Sequence, residues 1–226
     1  MGQLPRLVLL GKQGAGKGTQ AKRLAEHYSI SHLSTGDLFR AQAAAGTAFG
    51  LEAKRYMDAG ELVPDDIVIG VIEECLAPGG PLSDGFILDG FPRNLPQAQE
   101  LERVLHGRPL DVVVHLDVPS EIVLDRIAGR RVCKNGHTYH WQNMPPKQLW
   151  VCDICGEEVF QRDDDTEDAV IKRLDTYERE TRPLRDFYEA SVHPVVTVDG
   201  VGDGDEVFDR LVQAVDDALD GDSPLT

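Results

Sequence analysis

The chain has 226 residues, 41% of them hydrophobic and 27% charged, with a formal net charge of -16. That length suits one globular unit with room for inserted subdomains, and no stretch approaches the roughly 20 apolar residues of a membrane span. So acidic a surface repels polyanions, which argues against a nucleic-acid binder working through a basic face and requires an anionic substrate to be met by local positive charge.

RLVLL (6–10) is a continuous apolar run, as expected of a strand buried on both faces, and the residues before it lack the basic and long apolar regions of a signal peptide. GKQGAGKGT (11–19) comes next as a glycine loop, and in QAKRLAEHY the residues Ala21, Leu24, Ala25 and Tyr28 share one helical face. Residues 34–63 read as a short-helical, alanine-rich insertion ending in GELVP. Cys75 stands alone in an apolar helix-like segment and reads as core. FILDG (86–90) and VVVHLDV (112–118) are further buried strands, and Ser120 is the expected N-cap of EIVLDRIAGR. Residues 127–164 form a second insertion with three cysteines and little apolar periodicity. VVTVD (195–199) is a last strand, EVFDRLVQAVDDAL (206–219) an amphipathic closing helix, and GDSPLT a tail expected to fray. Strands alternating with helices imply an α/β fold with a mostly parallel sheet covered on both faces.

Gly11 to Thr19 fits G-x-x-x-x-G-K, with Gly18 in the usual Ser/Thr place and Thr19 next. Glycines let consecutive N–H groups curl around phosphate oxygens, and the succeeding helix adds its N-terminal dipole. Lys17 is placed to neutralise β- and γ-phosphate charge. A dinucleotide-type G-x-G-x-x-G explains neither Lys17 nor the motifs downstream of it.

Cys152-x-x-Cys155-Gly156 has the spacing of a zinc knuckle, whose turn brings both sulfurs to one side. Cys133 and His137, four residues apart, offer the other half, giving a Cys₃His set that suits zinc rather than Mg²⁺ or Ca²⁺. His140 is a rival fourth ligand, and reduced thiols packed without metal are the alternative. Four protein ligands leave no open position, so a metal here would be structural.

The loop continues as GKGTQ, and downstream come HLSTGDLFR (32–40), GELVPDDIV (60–68), ILDGFPRNLPQAQ (87–99), DRIAGRR (125–131) and RDDDTEDAVIKRL (162–174). In this order and spacing they resemble adenylate kinase, a nucleoside monophosphate kinase family, over nearly the whole chain and including a long lid. The resemblance implies a P-loop core (1–33, 64–126 and 165–226), an AMP-binding insertion (34–63) and a lid (127–164). It implies phosphoryl transfer between ATP and AMP to give two ADP, with Mg²⁺, in a cytoplasmic monomer with no nucleic-acid or membrane partner. Such chemistry needs positioning and charge neutralisation, for which the planar guanidinium fork is suited.

By the same resemblance Arg40 and Arg93 hold the AMP phosphate, Arg130, Arg162 and Arg173 close on the transferring group, and Arg162 and Arg173 also border AMP. Gly14, Ala15, Gly16, Lys17, Gly18, Thr19, Arg126, Arg130, Thr138, Tyr139 and Gly202 would surround ATP, and Asp89 would orient waters around Mg²⁺. Gly90, Phe91, Pro92 and the backbone of Glu61, Leu62 and Val63 would line the AMP pocket. Thr35 and Gln97 stand where adenylate-specific members carry Thr and Gln, whereas UMP/CMP kinases typically carry Ala and Asn. Gln can pair with adenine's ring nitrogen and amino group. Two departures stand out. Gln13 replaces the family's usual proline, and the lid's first half lacks a second cysteine, for which His137 is the substitute. A UMP/CMP kinase and a zinc-ribbon NTPase that binds nucleic acid are the competing readings.

Overall fold

The computed structural model describes residues 4–221 apart from 106 and 192, so the expected frayed tail lies outside the described residues from 222 on. In chain order the strands are Arg6–Leu10 (β1), Ser31–Ser34 (β2), Phe86–Asp89 (β3), Val112–Asp117 (β4), Arg130–Cys133 (β5), Thr138–His140 (β6), Val159–Phe160 (β7) and Val195–Asp199 (β8). The helices are Lys17–Tyr28 (α1), Thr35–Ala44 (α2), Ala48–Asp58 (α3), Asp65–Leu76 (α4), Leu95–Val104 (α5), Ser120–Gly129 (α6), Glu167–Thr176 (α7), Pro183–Glu189 (α8) and Gly204–Leu219 (α9). A π-helical turn, Tyr177–Thr181, joins α7 to α8.

One sheet has the order β2-β3-β1-β4-β8 with every pairing parallel. The alternation along β1 explains its continuous apolar run. Leu7 and Leu9 enter a core with Leu24 of α1, Ile127 of α6 and Leu211 of α9, while Val8 and Leu10 enter another with Ile72 of α4, Leu101 of α5 and Leu184 of α8. Both faces are therefore covered, as a parallel sheet requires. Truncating a fully buried leucine such as Leu9 to alanine would cost about 2–5 kcal/mol.

Parallel strands deliver their C-terminal ends to one edge, where α/β sheets bind ligands. The register sets Leu9 beside Asp89, and Asp89 beside Ser34, so the loops after β1, β2 and β3 open together. Residues 127–164 carry a second, antiparallel sheet of order β6-β5-β7.

Two expectations are corrected. Ser120 is the first residue of α6 rather than its cap. Pro119 takes the cap position with no side-chain hydrogen bond, and its fixed φ of -54° suits the entry. Cys75 is only half-buried, at the margin of the second core.

Candidate functional site

A cleft of about 430 Å³ opens at the C-terminal edge of the parallel sheet, lined by the glycine loop, the starts of α1 and α2, the ends of β1 and β3, and the segments around 136–138 and 162–164. The loop's form rests on glycine. Gly14 and Gly16 have φ of +83° and +102°, and a Cβ on Gly14 would lie 2.6 Å from Ile127 Cγ1. Lys17 Nζ donates to the carbonyls of Gly11 at 2.7 Å and Lys12 at 2.8 Å, which hold it against the loop. Burial brings its pKa down to about 8; Asp89 opposes the shift, while Arg93 and Arg130 add to it. Asp89 is itself buried, and a Cβ on Gly18 would sit 3.4 Å from its Oδ2, so the carboxylate stands beside the loop.

Arg40, Arg93, Arg162 and Arg173 line the same space, and Arg130 lies close enough to act on Lys17 and Arg162. Arg93 Nε donates to Gly90 O at 2.7 Å, and the Arg93 carbonyl accepts from Thr181 Oγ1 at 2.6 Å, tying the residue to the π-helical turn. Arg173 Nη2 donates to Asp164 Oδ2 and to Met57 O, at 2.7 and 2.6 Å. Arg130 forms a fork with the Asp165 carboxylate, Nε to Oδ2 being 2.8 Å. Arg40 pairs with Asp37 at 2.5 Å, and Arg162 lies 3.7 Å from the same Asp37 oxygen. Burial lowers Arg93, with Arg173 and Arg40 adding to the effect; burial likewise lowers Arg162 to about 10, with Arg40 and Arg130 adding. These are mutually repelling cations gathered on a chain of charge -16, partly offset by the Asp37, Asp164 and Asp165 carboxylates beside them. Burial would raise Asp37 and Asp164, yet the surrounding guanidiniums pull both carboxyls below the usual range.

Beyond the arginines lies a pocket with Thr35, Glu61, Leu62, Val63, Gly90, Pro92 and Gln97 on its walls. Thr35 Oγ1 donates to Gly90 O at 2.9 Å, and Gln97 is 1% exposed although it borders the cleft. Gly90 has φ +79°, and a Cβ there would meet Arg93 Nη2 at 2.9 Å. Phe91 is fully buried in the second core, so it supports this wall from behind.

On the other side Arg126 bridges the carbonyls of Ala15 and Gly200, each at 3.0 Å, which ties the glycine loop to the turn after β8. Thr138 lines the cleft. Tyr139 does not: its ring is buried, and its hydroxyl is engaged with Cys152 Sγ at 3.2 Å and the Asp153 N–H at 2.8 Å. Ala15, Arg126, Arg130 and Gly202 also lie outside the cleft lining, whereas Gln13 is part of it.

The donor atoms of Cys133, His137, Cys152 and Cys155 lie within 4.8 Å of one another. Cys133 and Cys155 sulfurs are 3.7 Å apart, and His137 Nδ1 is 3.3 Å from both Cys133 and Cys152 sulfurs. Two sulfurs ~2.3 Å from a tetrahedral ion would be about 3.8 Å apart, so the donor set fits a metal of zinc's size. Burial works against ionising Cys152, but the Tyr139 hydroxyl and the N–H groups of Cys155 and Ile154 bring it down to about 6, which favours a thiolate. His140, the rival ligand, accepts from the Gln142 and Asn143 N–H groups instead.

Sequence reasoning misses the acidic partners. Asp37, Asp164 and Asp165 lie inside the motifs that carry the arginines, yet only the fold shows that each aligns a guanidinium. An acidic run beside arginines expected at a cleft is the available signal. Asp65, which holds Gln97, has no such signal in the chain.

The Adenylate kinase family model matches residues 9–193. The adenylate kinase of Methanosarcina mazei is 50% identical over 207 residues, covering 91% of this chain and 95% of the relative. That of Methanosarcina acetivorans is 51% identical over the same length and coverage, and that of Streptomyces griseus 48% identical over 214 residues, covering 93% and 97%.

Proposed function

This chain belongs to the adenylate kinase family and has that family's activity, reversible phosphoryl transfer from ATP to AMP; we propose how its own residues divide the work. Gly14 to Thr19 hold the ATP phosphates through backbone N–H groups, and Lys17 carries positive charge to the β- and γ-phosphates. Arg40 and Arg93 hold the AMP phosphate, and Arg130, Arg162 and Arg173 neutralise the charge that spreads over the transferring group. An AMP phosphate oxygen attacks the γ-phosphorus as the bond to the β–γ bridging oxygen breaks, leaving two ADP. The attacking oxygen is already anionic, so no general base is needed.

Mg²⁺, carried with ATP in this family, supplies charge neutralisation when bound, and Asp89 is suited to hold its water shell because its carboxylate stands beside Gly18 and Lys17. Thr35 and Gln97, with the backbone of Glu61, Leu62 and Val63, read the adenine of AMP, and Arg126 and Thr138 border ATP. Residues 34–63 and 127–164 act as the AMP-binding and lid segments on the core, and the four-ligand cluster holds a structural zinc that stiffens the lid. A closing lid excludes water, which would otherwise take the phosphoryl group. By the family resemblance the protein works as a cytoplasmic monomer. Among the described residues no helix is long and apolar enough to cross a membrane.

The observation that carries this reading is the gathering of Lys17, Arg40, Arg93, Arg162 and Arg173 on the lining of one cleft of an acidic chain, with Arg130 close enough to act on Lys17 and Arg162. Turnover of AMP, UMP, CMP and GMP with ATP tests the base assignment. AMP is the expected preferred acceptor, and a preference for UMP or CMP would overturn the roles of Thr35 and Gln97.

A further inference from the structure

Gln97 is 1% exposed and both ends of its amide are already engaged. Its Oε1 accepts from the Arg93 backbone N–H at 2.8 Å, and its Nε2 donates to Asp65 Oδ1 at 2.7 Å. An N–H can only donate and a carboxylate can only accept, so these two neighbours force one orientation of the amide. The same Asp65 oxygen accepts from Asn94 Nδ2 at 2.9 Å, while Asn94 Oδ1 accepts from the Gln97 N–H at 2.9 Å. Asp65, in the first turn of α4, is therefore locked to the start of α5 and fixed in relation to Gln97.

A carboxamide has two N–H donors and two acceptor positions. With one of each committed to the protein, Gln97, which borders the cleft, keeps one donor on Nε2 and one acceptor position on Oε1. That pair complements adenine, which offers an acceptor at N1 beside a donor at N6. It opposes hypoxanthine, which has nearly the same outline but presents an N1–H donor beside an O6 acceptor. Accepting hypoxanthine would require turning the amide over, which sets Oε1 against the Asp65 carboxylate and Nε2 against the Arg93 N–H.

We propose that Asp65 is a specificity-determining positioning residue: by fixing the polarity of the Gln97 amide it makes the monophosphate site reject 6-oxopurine nucleotides. This rests on the reading of Gln97 as the adenine contact. Asp65 touches no substrate and acts through Gln97.

The probe is inosine monophosphate, compared with AMP as phosphoryl acceptor from ATP. Asn at position 65 keeps the shape but can turn a donor toward Gln97 Oε1, giving up its bond from Asn94 Nδ2, so it weakens the penalty at that end. Asp65→Asn is expected to narrow the AMP-over-IMP ratio of kcat/KM by about tenfold or more, the worth of one well-placed base contact. The change is expected in KM for the acceptor, with KM for ATP held; a merely structural loss would move both substrates together. Asp65→Ser provides a second substitution, and thermal melting shows whether each variant is folded. Gln97→Met separates the two roles. If Gln97→Met abolishes the AMP preference while folded Asp65→Asn and Asp65→Ser both retain the wild-type ratio, the role of Asp65 is overturned. If Gln97→Met retains the wild-type ratio, the adenine reading of Gln97 fails, and this inference with it.

Discussion

Lys17 concentrates the electrostatics of the cleft in one titration. Burial and neighbouring cations bring it from its ordinary 10.5 to about 8 in the nucleotide-free protein. Below about pH 8 the buried ammonium burdens the fold, and that penalty is relieved as pH rises from about 8 towards 10.5, because the unfolded chain then binds more protons. Nucleotide phosphates act the other way, raising the pKa again, so ATP binding at about pH 9 takes up a proton. Calorimetry in buffers of different ionisation enthalpy should register this uptake in the wild type and lose it in Lys17→Met. Equal uptake in both would assign the proton elsewhere. The proposed roles most legible in sequence are of this kind, where glycine and lysine at fixed spacing suit phosphate chemistry. The role of Tyr139 is less so: its hydroxyl is spent on Cys152 and Asp153, which adjacency in the chain does not reveal.

Among the secondary-structure elements, the glycine loop and the lid cluster can be tested separately. Gly14 combines a left-handed backbone with an approach to Ile127 that leaves no space for a methyl group. Gly14→Ala is therefore expected to raise KM for ATP by about tenfold or more through distortion of the phosphate cradle. An unchanged KM would show that the loop can shift. The lid has a small core of its own, formed by Cys133, Tyr139, Cys152 and Val159 with Cys155 against it, too little to hold a three-stranded sheet unaided. Elemental analysis should find one zinc per chain in wild type and none in Cys152→Ser, with a melting temperature lower by on the order of 10 °C. A metal-free wild type of equal stability, grown with ample zinc, would contradict the structural role.

Elements are legible in proportion to their apolar content. RLVLL can be placed to the residue, since a strand buried on both faces must be apolar throughout; VVTVD is also legible from its valines, although at the sheet's edge only Val198 is buried. The strand Ser31–Ser34 escapes such a reading because it is four residues long, polar and only half-buried at the sheet's edge. The lid strands escape it for a similar reason: pairing and the cysteine cluster, rather than a periodic apolar face, define them.

Across the molecule, the acidic surface and the cationic cleft are one design. Residues 162–165 hold the cleft's far side: Arg162 reaches Asp37, Asp164 holds Arg173 and lies 3.9 Å from Arg40, and Asp165 holds Arg130. Lys22 of α1 donates to Gly136 O at 3.1 Å, bringing the 127–164 segment against the phosphate-loop helix. Such contacts between distant segments arise from topology, so spacing and composition supply the arginines, while their convergence is implied only through the family resemblance.

If this convergence performs the chemistry, removing single cations should disable the enzyme without unfolding it. ADP formation from ATP and AMP by wild type, Lys17→Ala and Arg93→Ala, measured alongside melting curves, decides the matter. Losses of about 1000-fold in kcat/KM are expected for both variants while each stays folded. Near-wild-type turnover in both folded variants would contradict a catalytic role for the cluster.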